Sequence, residues 1–195
     1  CREASRQEII RRYYDSRRRF LLGACTENEV YKIEMLMNQT GITVHDRHVV
    51  DAALKRAEET GAPASALELP DGRIVTGKTS DLLGASAALL LNALKELAGI
   101  DHERKVISPE AIEPIQRLKV NYLGRLHTDE ILIALSVSAA TDPTAQEVLK
   151  QLPKLKGCQA HTSVMVSNVD SRMFKKLSIQ ATYEAKFEKN PVFAK

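Results

Sequence analysis

Residues 72–79, Gly-Arg-Ile-Val-Thr-Gly-Lys-Thr, match the spacing of the phosphate-binding P-loop motif. A P-loop surrounds a phosphate with the backbone N–H groups between its two glycines, after a strand and before a helix. Here the intervening residues are themselves predicted to form a strand, whose N–H groups pair with a neighbouring strand. We therefore expect no P-loop at this position.

A weaker hypothesis is that an anion still binds at the same place, although no P-loop is formed. Gly77, Lys78, Thr79 and Ser80 lie where the predicted strand leads into a buried helix. Unpaired N–H groups at such a helix start attract an anion, because they carry the positive end of the helix dipole. The alternative is an ordinary capped helix start without a ligand.

Metal ligation is the second chemistry that residue spacing suggests. His45 and His48 are close in the sequence, but no cysteine lies near them. Cys158 and His161 are three residues apart on a predicted strand, so they point to opposite faces of the sheet. We therefore predict no metal site and a packed Cys158 thiol. His161, followed by Thr162 and Ser163, is a candidate ligand-binding residue that faces a cleft.

The first 61 residues are predicted to form a helical subdomain with helices over residues 3–22, 26–40 and 46–60. Apolar residues repeat there at helical spacing, and a glycine follows each helix. Thr26 and Glu29 match a capping box, in which each side chain accepts a hydrogen bond from the other residue's N–H.

Residues 62–195 are predicted to form an α/β domain. Asp71-Gly72 between two short runs, 65–69 and 73–76, predicts a β-hairpin because glycine accepts the positive φ of the turn. A helix that is apolar on nearly all sides is expected over residues 80–98, capped by Ser80 and buried at the centre of the domain.

Further elements follow this helix. Helices are expected to begin at residues 108, 128, 142 and 170, and strands to span 158–167 and 179–183. Pro114 predicts a kink or a restart in the first of these helices, and a buried strand over 131–137 is the alternative to the second. The predicted fold is therefore α/β, with a three-helix segment followed by a three-layer α/β/α domain.

Composition narrows the classes of function. The most apolar stretch, 82–94, is about 13 residues long, whereas a membrane span needs ~20. Aromatic residues make up 5% and Trp is absent, which disfavours base stacking, so we expect no specific nucleic-acid binding. Three cysteines are too few for a disulfide-stapled secreted domain and indicate a reducing compartment, the cytoplasm.

Charge is distributed unevenly, with basic ends. Residues 1–20 hold seven arginines against three acidic residues, and residues 150–195 hold nine basic residues against three acidic ones. These ends fit either an anionic partner or contact with acidic surface of the same protein. Glu8–Arg12 and Asp15–Arg19 are spaced as helical ion pairs, which favours the second interpretation.

Five stretches form a specific pattern along nearly the whole chain: residues 69–80, 98–100, 126–130, 136–146 and 155–161. Together they resemble a bacterial family of uncharacterised proteins, domain of unknown function family eighteen forty-six. The resemblance implies that this chain is the C-terminal portion of a longer protein, whose N-terminal portion is its partner and carries a glycine-rich, nucleotide-loop-like segment. It implies no particular reaction, cofactor or catalytic residue. The segment at residues 122–126 is shorter than is usual in that family.

The family's last domain is similar in topology to the cytidine-deaminase layout. Zinc deaminases need His-x-Glu together with Pro-Cys-x-x-Cys, because three ligands hold the metal and the glutamate transfers protons. None of the five histidines here has Glu two residues later, and no two cysteines are three apart. The topology is therefore expected without the zinc motifs and without zinc deamination.

Three functions are compatible with these observations. In the first, Gly77–Ser80, Thr141, Thr144 and His161 converge on one cleft and bind an anionic small molecule or nucleotide, shared with the N-terminal portion. In the second, the apolar helix and the basic first helix serve interdomain packing and assembly of a homo-oligomer. In the third, the chain is part of an enzyme whose chemistry lies at the junction with the N-terminal portion.

Overall fold

The computed structural model describes residues 2–188, apart from the side chain of Val120. Within this range the protein is mixed α/β, with eight α-helices and one four-stranded sheet. The helices are α1 (Arg2–Leu21), α2 (Glu27–Thr40), α3 (His48–Thr60), α4 (Ala85–Leu97), α5 (Pro109–Leu118), α6 (Thr128–Ala139), α7 (Pro143–Leu149) and α8 (Asn168–Lys176). The strands are β1 (Ala64–Glu68), β2 (Ile74–Lys78), β3 (Gln159–Thr162) and β4 (Gln180–Tyr183).

The sheet has the strand order β2-β1-β3-β4. The predicted hairpin is confirmed: β1 and β2 are antiparallel, and Gly72 in the turn has a φ of 85°. β1 also pairs antiparallel with β3, whereas β3 pairs parallel with β4. The two late strands are therefore added to the free edge of β1, and β3 becomes an interior strand.

Helices cover both faces of the sheet. Ala66 of β1 packs with Val49 and Ala53 of α3 on one face. Leu67 and Ala160 belong to the main core on the other face, together with residues of α4, α6, α7 and α8. Successive strand residues alternate between the two faces, so each strand contributes to both layers. The prediction of a packed Cys158 thiol is confirmed, since Cys158 is buried in the main core.

The helix start predicted at Ser80 is wrong. α4 begins at Ala85, with Gly84 as its N-cap, and eight of its thirteen residues are buried. The Ser80 hydroxyl instead accepts hydrogen bonds from the N–H groups of Leu82 and Leu83, within a loop. A serine side chain satisfies the N–H groups of a turn as well as those of a helix, so local sequence does not distinguish the two.

Other local predictions also need correction. Thr26 precedes α2 but makes no side-chain capping bond, so the capping box is not formed there. α5 continues through Pro114 without a restart and leads into a π-helical turn. Residues 131–137 lie in α6, which confirms the helix over the strand. The predicted strand over 158–167 is shorter, because only Gln159–Thr162 pair with neighbours.

Ion pairs on α1 follow the prediction in part. Arg12 Nε lies 2.9 Å from Glu8 Oε1, as the spacing suggests. Asp15 pairs with Arg18 rather than with Arg19, and Arg19 pairs with Glu29 of α2. The basic face of α1 is thus partly neutralised by its own helix and by the next one.

A buried arginine joins the helical segment to the sheet. Arg47, which precedes α3, is fully buried and donates five hydrogen bonds. The acceptors are the side chains of Gln7, Gln159 and Thr182 and the carbonyl oxygens of Ala160 and Gln180. All five guanidinium N–H groups are thereby satisfied, which burial of this group requires.

The helices of residues 1–61 pack directly on the sheet of the following segment, through α3 and through contacts of α1 with β4. The division of the chain into domains at residue 61 stays a prediction. Within residues 2–188, no helix is long and apolar enough to cross a membrane.

Candidate functional site

The strongest cluster of chemically active side chains joins the start of α6 to the start of α8. His127 is the N-cap of α6, and its Nδ1 lies 3.0 Å from Oδ2 of Asp170 in α8. Asp170 is buried and also accepts hydrogen bonds from the N–H and hydroxyl of Thr128, both at 2.9 Å, and from the hydroxyl of Ser167 at 2.8 Å. Four donors therefore fix this carboxylate and, through it, the imidazole.

The electrostatics of the pair are reciprocal. Burial by itself would raise the pKa of Asp170, but the hydrogen bonds from His127, Thr128 and Ser167 outweigh it and lower that pKa. The hydrogen bond to Asp170 raises the pKa of His127 above its ordinary value, against a smaller opposing effect of burial. Because the ionised carboxylate only accepts, His127 Nδ1 is assigned as the donor and Nε2 remains for a ligand.

His127 and Asp170 line a cavity of about 570 Å³. Three helix starts meet there: Gly84, Ala85 and Ser86 at the start of α4, His127 at the start of α6, and Ser167 as the N-cap of α8. Such starts carry unpaired N–H groups and a partial positive charge.

The start of α4 differs from the other two starts. Asp170 accepts from the first N–H group of α6, and Ser167 accepts from an N–H group of α8. Gly84 has no side chain and gives α4 no such cap. The N–H of Gly84 itself donates to the carbonyl of Leu126, which ties this loop to the segment that carries His127. The first turn of α4 therefore has no side-chain cap, and its residues line the same cavity as His127.

The cavity also contains carboxylates, which limit its positive charge. Asp170 is hydrogen-bonded as described, and Glu188 pairs with Arg125 at 2.6 Å. Asp81 lies in the loop before α4. The wall is therefore mixed in charge, with carboxylates beside the start of α4, His127 and Arg125.

The structure places Gly77 and Lys78 within β2 rather than at a helix start. A Cβ at Gly77 would lie 2.2 Å from the backbone nitrogen of Leu89, so glycine is needed for close packing of α4 on β2. Lys78 and Ser80 line a second, open groove of about 680 Å³ together with Arg56. Binding of an anion in this groove stays a prediction.

Thr79 lies apart from that groove. Its N–H donates to the carbonyl of Pro63, and the residue lines the cavity of His127. The unpaired N–H groups expected over residues 77–80 are thus largely used, since that of Ser80 donates to Leu83.

The predicted helix start at residues 141–144 is formed, but by a short helix. Asp142 caps α7 by accepting from the N–H of Thr144, and the Thr144 hydroxyl accepts a hydrogen bond from Arg104 at 2.8 Å. The N–H of Thr141 donates to the carbonyl of Ser138 at the end of α6.

His161 does not face a cleft. It is fully buried, its Nδ1 lies 2.8 Å from the Thr182 hydroxyl, and its ring centroid is 4.8 Å from that of Tyr14 in α1. Burial lowers the pKa of His161, although Glu184, with Oε1 3.4 Å from Nε2, opposes this shift. Lys78, Thr144 and His161 thus contact different neighbours, and the predicted convergence on one cleft does not occur.

No group of three or more histidine, cysteine, aspartate or glutamate side chains in residues 2–188 is arranged to hold a metal ion. No residue set in this part of the chain indicates a particular cofactor.

His127 and Asp170 were not among the sequence-predicted site residues. His127 lies in the stretch 126–130 that contributes to the family resemblance, but that stretch by itself assigns it no role. Asp170 is 43 positions away, and no spacing rule joins the two residues. Only the packing of α6 against α8 brings them together.

Comparison with known proteins gives consistent results. A family model described as "Domain of unknown function DUF1846, C-terminal" matches residues 45–193. A UPF0371 protein of Corynebacterium efficiens is 52% identical over 203 residues, which cover 100% of this chain and 40% of that protein. UPF0371 proteins of Corynebacterium glutamicum and Streptococcus pyogenes serotype M5 are 50% and 48% identical, over 100% and 99% of this chain. The chain spans about 40% of the length of these curated relatives.

Proposed function

This chain belongs to the DUF1846 C-terminal family of uncharacterised bacterial proteins, and on that premise we propose that it is a binding module for an anionic small molecule. The ligand is bound in the cavity between the starts of α4, α6 and α8. The observation that carries the proposal is the uncapped first turn of α4, which opens into the same cavity as the Asp170-oriented imidazole of His127.

The start of α4 supplies one half of the recognition. α4 has thirteen residues, and its N-cap is the side-chain-free Gly84. Backbone N–H groups at such an end bind phosphate or carboxylate oxygens, and the helix dipole adds ~0.3–1 kcal/mol of attraction.

His127 supplies the other half. Asp170 holds Nδ1, so Nε2 is the nitrogen left to meet a ligand. The raised pKa favours the imidazolium form, which donates a charge-assisted hydrogen bond to an anion. Asp170 thus both orients the ring and increases its positive charge.

The cavity limits the class of ligand. About 570 Å³ lies within the range of small-molecule sites, ~300–1,000 Å³, and suits a molecule of nucleotide size. Carboxylates elsewhere in the wall repel a second anionic group. The ligand class is therefore a small molecule with one phosphate or carboxylate group and a polar remainder, such as a nucleoside monophosphate.

Isothermal titration calorimetry with inorganic phosphate and with adenosine monophosphate tests the proposal. His127→Gln should weaken binding ~10–100-fold, because a hydrogen bond to a charged group contributes ~1.5–3 kcal/mol. Lys78→Ala, in the second groove, is the matched control and should leave the affinity unchanged. If Lys78→Ala weakens binding and His127→Gln does not, the anion binds in the Lys78 groove. If the unaltered protein binds neither phosphate nor adenosine monophosphate, the proposal is contradicted.

A second candidate function is proton transfer. A histidine oriented by a buried carboxylate at Nδ1 is the arrangement of a general acid–base catalyst. His127 would then exchange a proton with the ligand bound at α4. The module would in that case be part of an enzyme shared with the rest of the polypeptide.

The remaining sequence-based hypotheses stay open. A topology like the cytidine-deaminase layout stays a prediction, and the sequence contains neither His-x-Glu nor Pro-Cys-x-x-Cys. Homo-oligomer formation and a cytoplasmic location also stay predictions.

A further inference from the structure

The first two helices expose several large apolar side chains. Phe20 near the end of α1, and Leu22 directly after it, are 48% and 52% exposed. Tyr31 and Met35, one helical turn apart on α2, are 57% and 38% exposed. We call these four residues the outer helix surface. Phe20 and Tyr31 line the same groove, so α1 and α2 share this surface.

α2 also has an apolar face that is already covered. Met37 is buried in a cluster with Ile10 and Tyr14 of α1, and Val30 is buried as well. A surface helix normally needs one apolar stripe, directed toward its own core. A second, exposed stripe beside the covered one is typical of a contact surface.

The family comparison indicates what covers this second face. The matched C-terminal domain begins at residue 45, so α1 and α2 precede it in the sequence. The chain spans 40% of the length of the relatives, so more than half of each relative lies outside the matched region. We propose that the outer helix surface packs against the part of the same polypeptide that lies outside this chain.

The size of the surface favours this occupant over a second copy. A stable dimer usually buries ~800 Å² per partner, with ~20–30 residues on each side. Even when the exposed Leu21 and Leu36 are added, this region presents six large apolar side chains, well short of that number. A covalently linked segment has an effective concentration of the order of millimolar, so a small contact is enough to hold it. The charged residues Arg17, Glu27 and Glu34 line the groove and supply a polar rim of both signs.

Hydroxyl-radical footprinting of the full-length protein, read by mass spectrometry, tests this interface. Phenylalanine, tyrosine and methionine side chains all react when exposed, so the native residues report without substitution. In the full-length protein, Tyr31 and Met35 should be oxidised at least about fivefold more slowly than expected from their exposed fractions of 57% and 38% in this chain. Tyr122, which is 78% exposed in the π-helical turn after α5, is the internal reference. Oxidation of Tyr31 at its exposed rate would overturn the proposal.

Two further measurements separate the possible occupants. The protection should be the same at micromolar and at tenfold lower protein concentration, because the contact is intramolecular. Protection that disappears on dilution would indicate a second copy and overturn the proposal. Tyr31→Glu in the full-length protein should restore oxidation of Met35 and Phe20, whereas Lys32→Glu, on the same helix and exposed, should not. Equal effects of the two substitutions would also contradict the proposed contact.

Discussion

Asp170 lies 43 positions after His127 in the sequence, yet its Oδ2 accepts a hydrogen bond from His127 Nδ1 at 3.0 Å. Asp170 is an N-terminal residue of α8, and His127 is the N-cap of α6. One carboxylate therefore caps α6 through the N–H of Thr128, orients the imidazole and accepts from Ser167. The local structure and the proposed anion binding at this site therefore both depend on the Asp170 carboxylate.

Asp170→Asn should separate the charge of this group from its shape. The amide keeps the size of the side chain but loses the negative charge, so the pKa of His127 should fall when followed by NMR. The free energy of unfolding should fall by ~1–3 kcal/mol in urea denaturation, because buried hydrogen bonds to a charged group are lost. Asp129→Asn, in the first turn of α6, is the control and should leave the pKa of His127 in place. An unchanged His127 pKa in Asp170→Asn would disprove the coupling.

The pair also predicts a pH dependence of stability. His127 has a raised pKa, so its contribution is complete below about 6.5 and is lost as the pH rises through the raised folded-state value. Asp170 has a lowered pKa, so its contribution is complete above about 4 and is lost as the pH falls through the lowered value. Both contributions are present between these limits.

Urea denaturation of the unaltered protein and of His127→Gln checks this dependence. The difference in unfolding free energy between the two should be largest near about pH 5.5 and should shrink toward about pH 9. A difference that grows with pH would mean that His127 is stabilised as the neutral form, contrary to the ion pair with Asp170.

Gly84→Asp should affect stability and ligand binding in opposite directions. Gly84 has a φ of −67° and a ψ of 156°, which any residue adopts, and a Cβ there would meet the Leu126 carbonyl oxygen at an ordinary 3.6 Å. The new carboxylate should cap α4 and raise the free energy of unfolding by ~0.5–2 kcal/mol. It should also weaken phosphate binding at least about tenfold, since it occupies the same N–H groups. Gly84→Ala, measured by the same denaturation and calorimetry, should neither stabilise the protein nor weaken phosphate binding. Stabilisation with unchanged phosphate affinity would place the anion elsewhere.

Gly77→Ala tests whether this glycine serves packing rather than phosphate binding. The added Cβ would lie 2.2 Å from the backbone nitrogen of Leu89, so α4 and β2 have to move apart. Overpacking of this kind costs ~1–3 kcal/mol, measurable by urea denaturation. Lys78→Ala, at the next and exposed position, should change stability by less than ~0.5 kcal/mol. Equal stabilities of the two variants would show that the contact is not tight.

The helices of the first 61 residues and the hairpin after them could be predicted from the sequence. Helical spacing of apolar residues and the glycines after the helices are local signals, and Gly72 in the turn is another. The starts of helices were predicted less accurately than the helices themselves. Ser80 and Thr26 both have the chemistry of a cap, but one satisfies a loop and the other makes no capping bond.

The sequence by itself determined the mixed α/β class, the buried helix α4, the packed Cys158 and the family. The tertiary structure alone decided that β3 lies between β1 and β4, which buries His161, and that the five donors of Arg47 are satisfied. It also decided that His127 meets Asp170 beside the uncapped start of α4. Local signals fix an element because its hydrogen bonds join near neighbours in the chain. A site built from residues 43 positions apart depends on how the elements pack, which no local spacing encodes.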